Sequence, residues 1–144
     1  MSKRYPGLQL AHGATWPTGD AGHLLLTKLS HVARDIKHPI RIISGKRRAY
    51  DQWALYMKYL RGQGNLAAPC CWKHYQHSWA SCGKACASMH CQSKAVDCGV
   101  IDRNGNYASI GYSSRARSSM RDHGLCLPVP GEQWHVQVGS YWAN

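Results

Sequence analysis

The chain has 144 residues, with 18 Lys and Arg against 7 Asp and Glu, for a formal net charge of +11. A chain near this length forms one domain that buries roughly 70% of its unfolded surface, so it needs neither metal nor disulfides merely to fold. No apolar run approaches the ~20 residues that cross a bilayer, and Met1-Ser2-Lys3-Arg4-Tyr5-Pro6 is basic without the apolar stretch of a secretory signal, so neither membrane insertion nor a signal peptide is expected.

Leu25, Leu29, Val32 and Ile36 recur at helical spacing, which predicts an amphipathic helix over Gly22 to Asp35, capped by Thr18 or Asp20 and ended before Pro39. The β-branched run Ile40-Arg41-Ile42-Ile43 predicts a buried strand stopped by Ser44-Gly45. Helical spacing returns from Ala49 to Arg61 through Tyr50, Trp53, Ala54, Met57 and Leu60. From Gly62 to Ala87 the composition turns to Gly, Pro, Cys, His and Ser, which reads as an insertion or long loop. Ala95 to Ile101 reads as a strand, and Asn104-Gly105 signals a hairpin into a strand over Tyr107 to Ile110. Ser113 to His123 fits a short helix with Ser113 or Ser114 as N-cap and Gly124 just past its end. Trp134 to Val138 alternates, with Trp134, Val136 and Val138 on one face and His135 and Gln137 on the other. The sum is a single α+β domain with a small, mostly antiparallel sheet packed with helices.

Seven cysteines are present, five of them between Cys70 and Cys91. Three states suit this segment: a second, closed zinc site from His74, His77, Cys82 and Cys86, with Cys70 and Cys71 as alternative ligands; disulfides stapling the insertion; or packed thiols. Cys98 and Cys126 can pair if their strands are neighbours.

His90, Asp97 and His135 are two imidazoles and a carboxylate, a set that holds zinc while leaving a fourth position for water. Glu132, three residues before His135, is a further carboxylate suited to take a proton from that water. It follows Pro130-Gly131, and that turn frees it to approach the metal without ligating it. Alone, any of the nine histidines is more often a surface or core residue, and Lys46-Arg47-Arg48 reads by default as a solvated loop. Trp134 reads as a packing residue, and Gln52 as a helix-face residue or a site member.

At these residues the chain resembles the zinc D,D-peptidases, a family of D-alanyl-D-alanine carboxypeptidases and dipeptidases that includes the L-alanyl-D-glutamate peptidases of phage endolysins. Its S-x-H-x-x-G-x-A-x-D segment is matched by Ser88, His90, Ala95 and Asp97, and its E-x-W-H segment by Glu132, Trp134 and His135. Ser93 stands where the family usually has glycine. Ser44-Gly45-Lys46-Arg47, with Gln52, is similar to S-G-x-R-s-x-x-x-Q, and Gly64-Asn65-Leu66-Ala67-Ala68-Pro69 to phage members. The resemblance spans roughly Ile40 to Val138.

The resemblance implies the hedgehog/D,D-peptidase fold and one catalytic zinc ion on His90, Asp97 and His135. It implies Glu132 as general base, Arg47 as oxyanion stabiliser, and Ser88 and Gln52 as substrate contacts or supports. The implied activity is hydrolysis of peptidoglycan stem peptides or cross-links by a monomeric endolysin, made in the host cytoplasm and acting on the wall after release. The basic surface would hold it to anionic cell-wall polymers. The alternatives are a D-alanyl-D-alanine carboxypeptidase, or a non-catalytic wall-binding module, which would have no need of both Glu132 and Arg47. Nucleic acid is not an expected partner: charge and the cysteine cluster would be its only support, and no basic heptad or aromatic-flanked RNA-binding pattern occurs.

Overall fold

A computed structural model describes residues 2–67 and 88–144. The architecture is α+β, with three helices and a mixed six-stranded sheet among the described residues. The strands are β1 (Leu8–Leu10), β2 (Ile40–Ser44), β3 (Ala95–Ile101), β4 (Tyr107–Ser109), β5 (Leu125–Cys126) and β6 (His135–Val138). The helices are α1 (Gly19–Ile36), α2 (Ala49–Leu60) and α3 (Ser114–Asp122), and a single 3-10 turn covers Ile110–Tyr112. The strand order is β1-β2-β3-β6-β5, and β4 pairs with the far half of β3. Among the described strands, β1 runs parallel to its neighbour β2 and the other pairings are antiparallel. That parallel edge was not foreseen, because Leu8-Gln9-Leu10 is too short to show a period and acquires its pairing only from β2.

One face of the sheet carries Leu8, Ile40, Ile42, Val96, Cys98 and Val136, which pack with Leu25, Leu29, Val32 and Ile36 of α1 and with Ala116 and Met120 of α3. Successive residues of a strand face opposite ways, so Asp97 and His135 emerge on the other face. Register then sets Asp97 opposite His135 on β6 and opposite Ser44 on β2. The second pairing depends on an irregularity between Ile42 and Ser44. The extra residue, Ile43, is left 45% exposed, and Ser44 joins the row.

α2 departs from the expected stripe. Its buried residues are Gln52 and Tyr56, while Tyr50 and Leu60 are 51% and 43% exposed. The polar residue turns inward because Arg47 needs its amide, a demand that hydrophobic spacing does not record. The condition for a Cys98–Cys126 pair is not met: β6 lies between β3 and β5, and both are free thiols. Complete burial pushes the Cys98 thiol far up, so it is inert as a nucleophile. No helix among the described residues is long and apolar enough to cross a membrane.

α1 and α3 are tied by Asp35, whose Oδ2 accepts from His123 Nε2 and Ser119 Oγ, each at 2.8 Å. The His123 contact first, then Ser119, lowers the Asp35 carboxyl from 3.8 to about 2. A depressed carboxyl contributes stability that is complete above its unfolded pKa and is lost as pH falls through its folded one. Urea midpoints between pH 4 and 2 should therefore fall less steeply in Asp35→Asn than in the parent.

Candidate metal centre

His90 lies in the turn before β3, Asp97 within β3 and His135 at the start of β6. One ligand atom from each lies within 4.8 Å of the others, and the group can hold a metal ion. His90 Nε2 is 3.2 Å and His135 Nδ1 is 3.4 Å from Asp97 Oδ1. The two rings stand edge to face, with centroids 5.0 Å apart.

The outer ring nitrogens decide what the inner ones can do. His90 Nδ1 donates to the carbonyl of Gly45 at 3.0 Å, since a carbonyl can only accept. His135 Nε2 donates to Gln137 Oε1 at 2.8 Å. In the neutral rings this leaves lone pairs on His90 Nε2 and His135 Nδ1, both facing Asp97. Asp97 Oδ1 is buried and then receives no hydrogen bond. Two lone pairs and an orphaned carboxylate oxygen around one point call for a positive charge there, either a proton or a metal ion.

The ionisation of the group follows from this. Burial alone would raise the Asp97 carboxyl, but the imidazoles of His135 and His90 outweigh it and hold it down to about 2. Burial would lower His135, yet Asp97, Gln137 and Glu132 together raise it. Protons thus compete for the place a metal would take, and metal binding would release them. A borderline cation such as zinc suits two nitrogens and one carboxylate.

Glu132 ends a turn that Pro130-Gly131 dictates. Gly131 has φ +78°, and the Glu132 N–H donates to the carbonyl of Val129 at 3.1 Å, the pattern of a type II turn. Burial pushes the Glu132 carboxyl up and Asp97 adds to this, opposed by His135, His90 and Arg47. Arg47 is lowered by burial, against the attraction of Asp97, Asp51 and Glu132. The charges of Glu132 and Arg47 thus reach the candidate ligands, and the Arg47 main-chain N–H donates to the carbonyl of His90 at 3.4 Å.

Arg47 is held by its fork. Nη1 donates to Gln52 Oε1 at 2.6 Å and Nη2 to Ser44 Oγ at 2.8 Å. Gln52 is only 1% exposed, so its oxygen acts on the site through Arg47. Ser88 is also buried, and its Oγ accepts the main-chain N–H of His90 at 3.2 Å. Trp134 is half-buried, and its carbonyl accepts from Cys98 N–H at 2.9 Å. Cys91, beside His90, is disulfide-bonded. Cys70, Cys71, His74, His77, Cys82 and Cys86, proposed as a second metal site or disulfides, lie outside the described residues.

Two backbone positions shape the approach to His90. A Cβ on Gly45 would collide with the carbonyl of Thr15, so only glycine lets this loop present its own carbonyl to His90. Ser93, where the resemblance expects glycine, adopts φ +59°. Its buried hydroxyl accepts the Thr18 N–H at 3.0 Å, at the start of α1. The left-handed conformation costs a side-chain-bearing residue about 1–2 kcal/mol, and the hydroxyl's hydrogen bond offsets roughly 1 kcal/mol of it. Ser93→Gly should accordingly be near neutral in a urea titration. Ser93→Ala keeps the strain, strands the Thr18 N–H and should destabilise by about 1–3 kcal/mol.

Sequence spacing did not single out Gln137 as the partner that sets the His135 tautomer. Its alternation with His135 on one strand face was the available signal. Compared with protein-family models and with curated proteins, the chain matches none.

Proposed function

We propose that the chain is a zinc peptidase with the D,D-peptidase fold that hydrolyses an amide bond in peptidoglycan stem peptides or cross-links. It would act as an endolysin-type endopeptidase, made in the host cytoplasm and acting on the wall after release. The observation that carries this reading is the convergence of His90 Nε2, His135 Nδ1 and Asp97 Oδ1, with Glu132 and Arg47 near enough for their charges to be felt there. A scaffold would need the three ligands but has no use for a half-buried carboxylate and a half-buried guanidinium beside them.

His90, Asp97 and His135 would hold the ion, which when bound supplies Lewis acidity that polarises the scissile carbonyl and brings the pKa of water there to about 7. Glu132, raised by burial toward the working pH, takes the proton of the attacking water as its oxygen bonds to the carbonyl carbon. It then delivers that proton to the amine nitrogen as the C–N bond breaks. Arg47, anchored by Gln52 and Ser44, turns its remaining N–H groups to the carbonyl oxygen as charge develops on it. One such donor typically lowers a barrier by about 3–4 kcal/mol. The +11 charge supports concentration of the protein on anionic wall polymers.

The test is incubation of the purified chain with defined muropeptides, with and without a chelator, and identification of the products by mass spectrometry. Cleavage abolished by the chelator and restored by zinc is expected. Release of terminal D-alanine alone would make it a carboxypeptidase. Wall binding with no cleavage of any muropeptide would overturn the peptidase reading.

A further inference from the structure

Glu132 is the single glutamate of the chain, and the loop that carries it joins β5 to β6. On one side the 3-10 turn presses against this loop. The Gly111 N–H donates to the carbonyl of Gln133 at 2.7 Å, and a Cβ there would strike the Gln133 side chain and approach Leu127 to 2.8 Å. On the other side lies the amide of Asn144. Its Nδ2 donates to the carbonyl of Val129 at 2.6 Å, with Leu127 and Glu132 carbonyls at 3.3 and 3.4 Å sharing the second proton. Its Oδ1 accepts the Gly131 N–H at 2.8 Å. This one amide, donor and acceptor together, thus closes the turn as a neighbouring strand would.

Asn144 is itself fixed to α3. Its main-chain oxygen accepts from Arg117 Nη2 at 2.6 Å, and the Ala143 N–H donates to the carbonyl of Leu127 at 3.0 Å. Trp142 packs against the core beneath Arg117 and Arg121, whose guanidinium carbons lie 5.1 and 4.3 Å from its ring centre. The hydrogen bonds of Asn144 run to Leu127, to the Val129–Glu132 turn and to Arg117, and Trp142 meets Arg117 and Arg121, all apart from the candidate ligands. We infer that Asn144 is a positioning residue: through the main chain of the Val129–Glu132 turn, it holds the Glu132 carboxylate where proton transfer requires it. The inference rests on the peptidase reading of Glu132. Its physical basis is that a general base is effective only within hydrogen-bond reach of the proton it moves, and a displacement of about 1 Å can cost a hundredfold in rate.

Asn144→Asp keeps the volume and the acceptor but removes both donors, and Asn144→Ala removes the whole side chain. In both, kcat on a muropeptide should fall about tenfold to a hundredfold, with KM within about twofold of the parent and zinc content unchanged. Selective 15N-glutamate labelling gives one amide resonance, that of Glu132, which can be followed in the metal-free protein. It should shift or broaden in both variants. Parental kcat in Asn144→Asp, or a loss of kcat with the Glu132 resonance unmoved, overturns the inference. A parent that cleaves nothing removes the peptidase reading, while the resonance still decides whether Asn144 orders Glu132.

Discussion

Glu132→Gln should lose about 10²–10⁴ in kcat/KM on a cleaved muropeptide, roughly 3–5 kcal/mol of barrier, while still binding one equivalent of zinc. The amide has nearly the shape of the carboxyl and retains an acceptor, so the turn built by Pro130 and Gly131 and braced by Asn144 should persist. What it lacks is the capacity to take a proton from water and return it to the leaving amine. Because Glu132 is outside the set of three converging ligand atoms, metal analysis separates the two roles. Parental turnover in this variant would remove Glu132 from the chemistry. A variant that also loses zinc would make it a ligand.

Asp97→Asn should weaken zinc binding by more than the ten- to hundredfold typical of outer-shell partners, because it removes the only negative charge among the three converging groups. Binding stabilises the folded state by mass action, by about 4 kcal/mol at a thousandfold excess over Kd. For a chain of this size that is a Tm increase on the order of 10 °C. The parent should show this increase on zinc addition, and Asp97→Asn should lose most of it at the same concentration. In the metal-free variant His135 should also titrate at lower pH than in the parent, since the Asp97 carboxylate helps hold it up. A variant that keeps the full zinc-induced Tm shift would exclude Asp97 as a ligand.

How much of this was legible in the sequence varies from residue to residue. The Pro130-Gly131 turn, the Asn104-Gly105 hairpin and the Ser113 cap are local: each depends on dihedral preferences or on a hydroxyl within a few residues of its target. The two turns are legible as such, and of the two candidate caps, Ser113 and Ser114, it is Ser113 whose Oγ accepts the Ala116 N–H. The stripe of α1 was equally legible, because Leu25, Leu29, Val32 and Ile36 need only a common apolar face. Gln52 was ambiguous for the opposite reason. Its inward turn serves Arg47, and the hydrogen bond joining them is a tertiary fact.

By itself, the sequence determined which chemistry was available: two imidazoles, a carboxylate, a second carboxylate after a turn, and a charged fork. Alternation along each strand also determined which residues share a face. Only the tertiary structure decided that Ser44, Asp97 and His135 stand in one row across three strands, because register and the irregularity after Ile42 are set between strands. It alone decided the tautomers, through the Gly45 carbonyl and Gln137, and the brace that Asn144 gives the turn. Residue types carry donors, acceptors and charge, whereas the directions in which these point are fixed by hydrogen bonds between segments far apart in the chain.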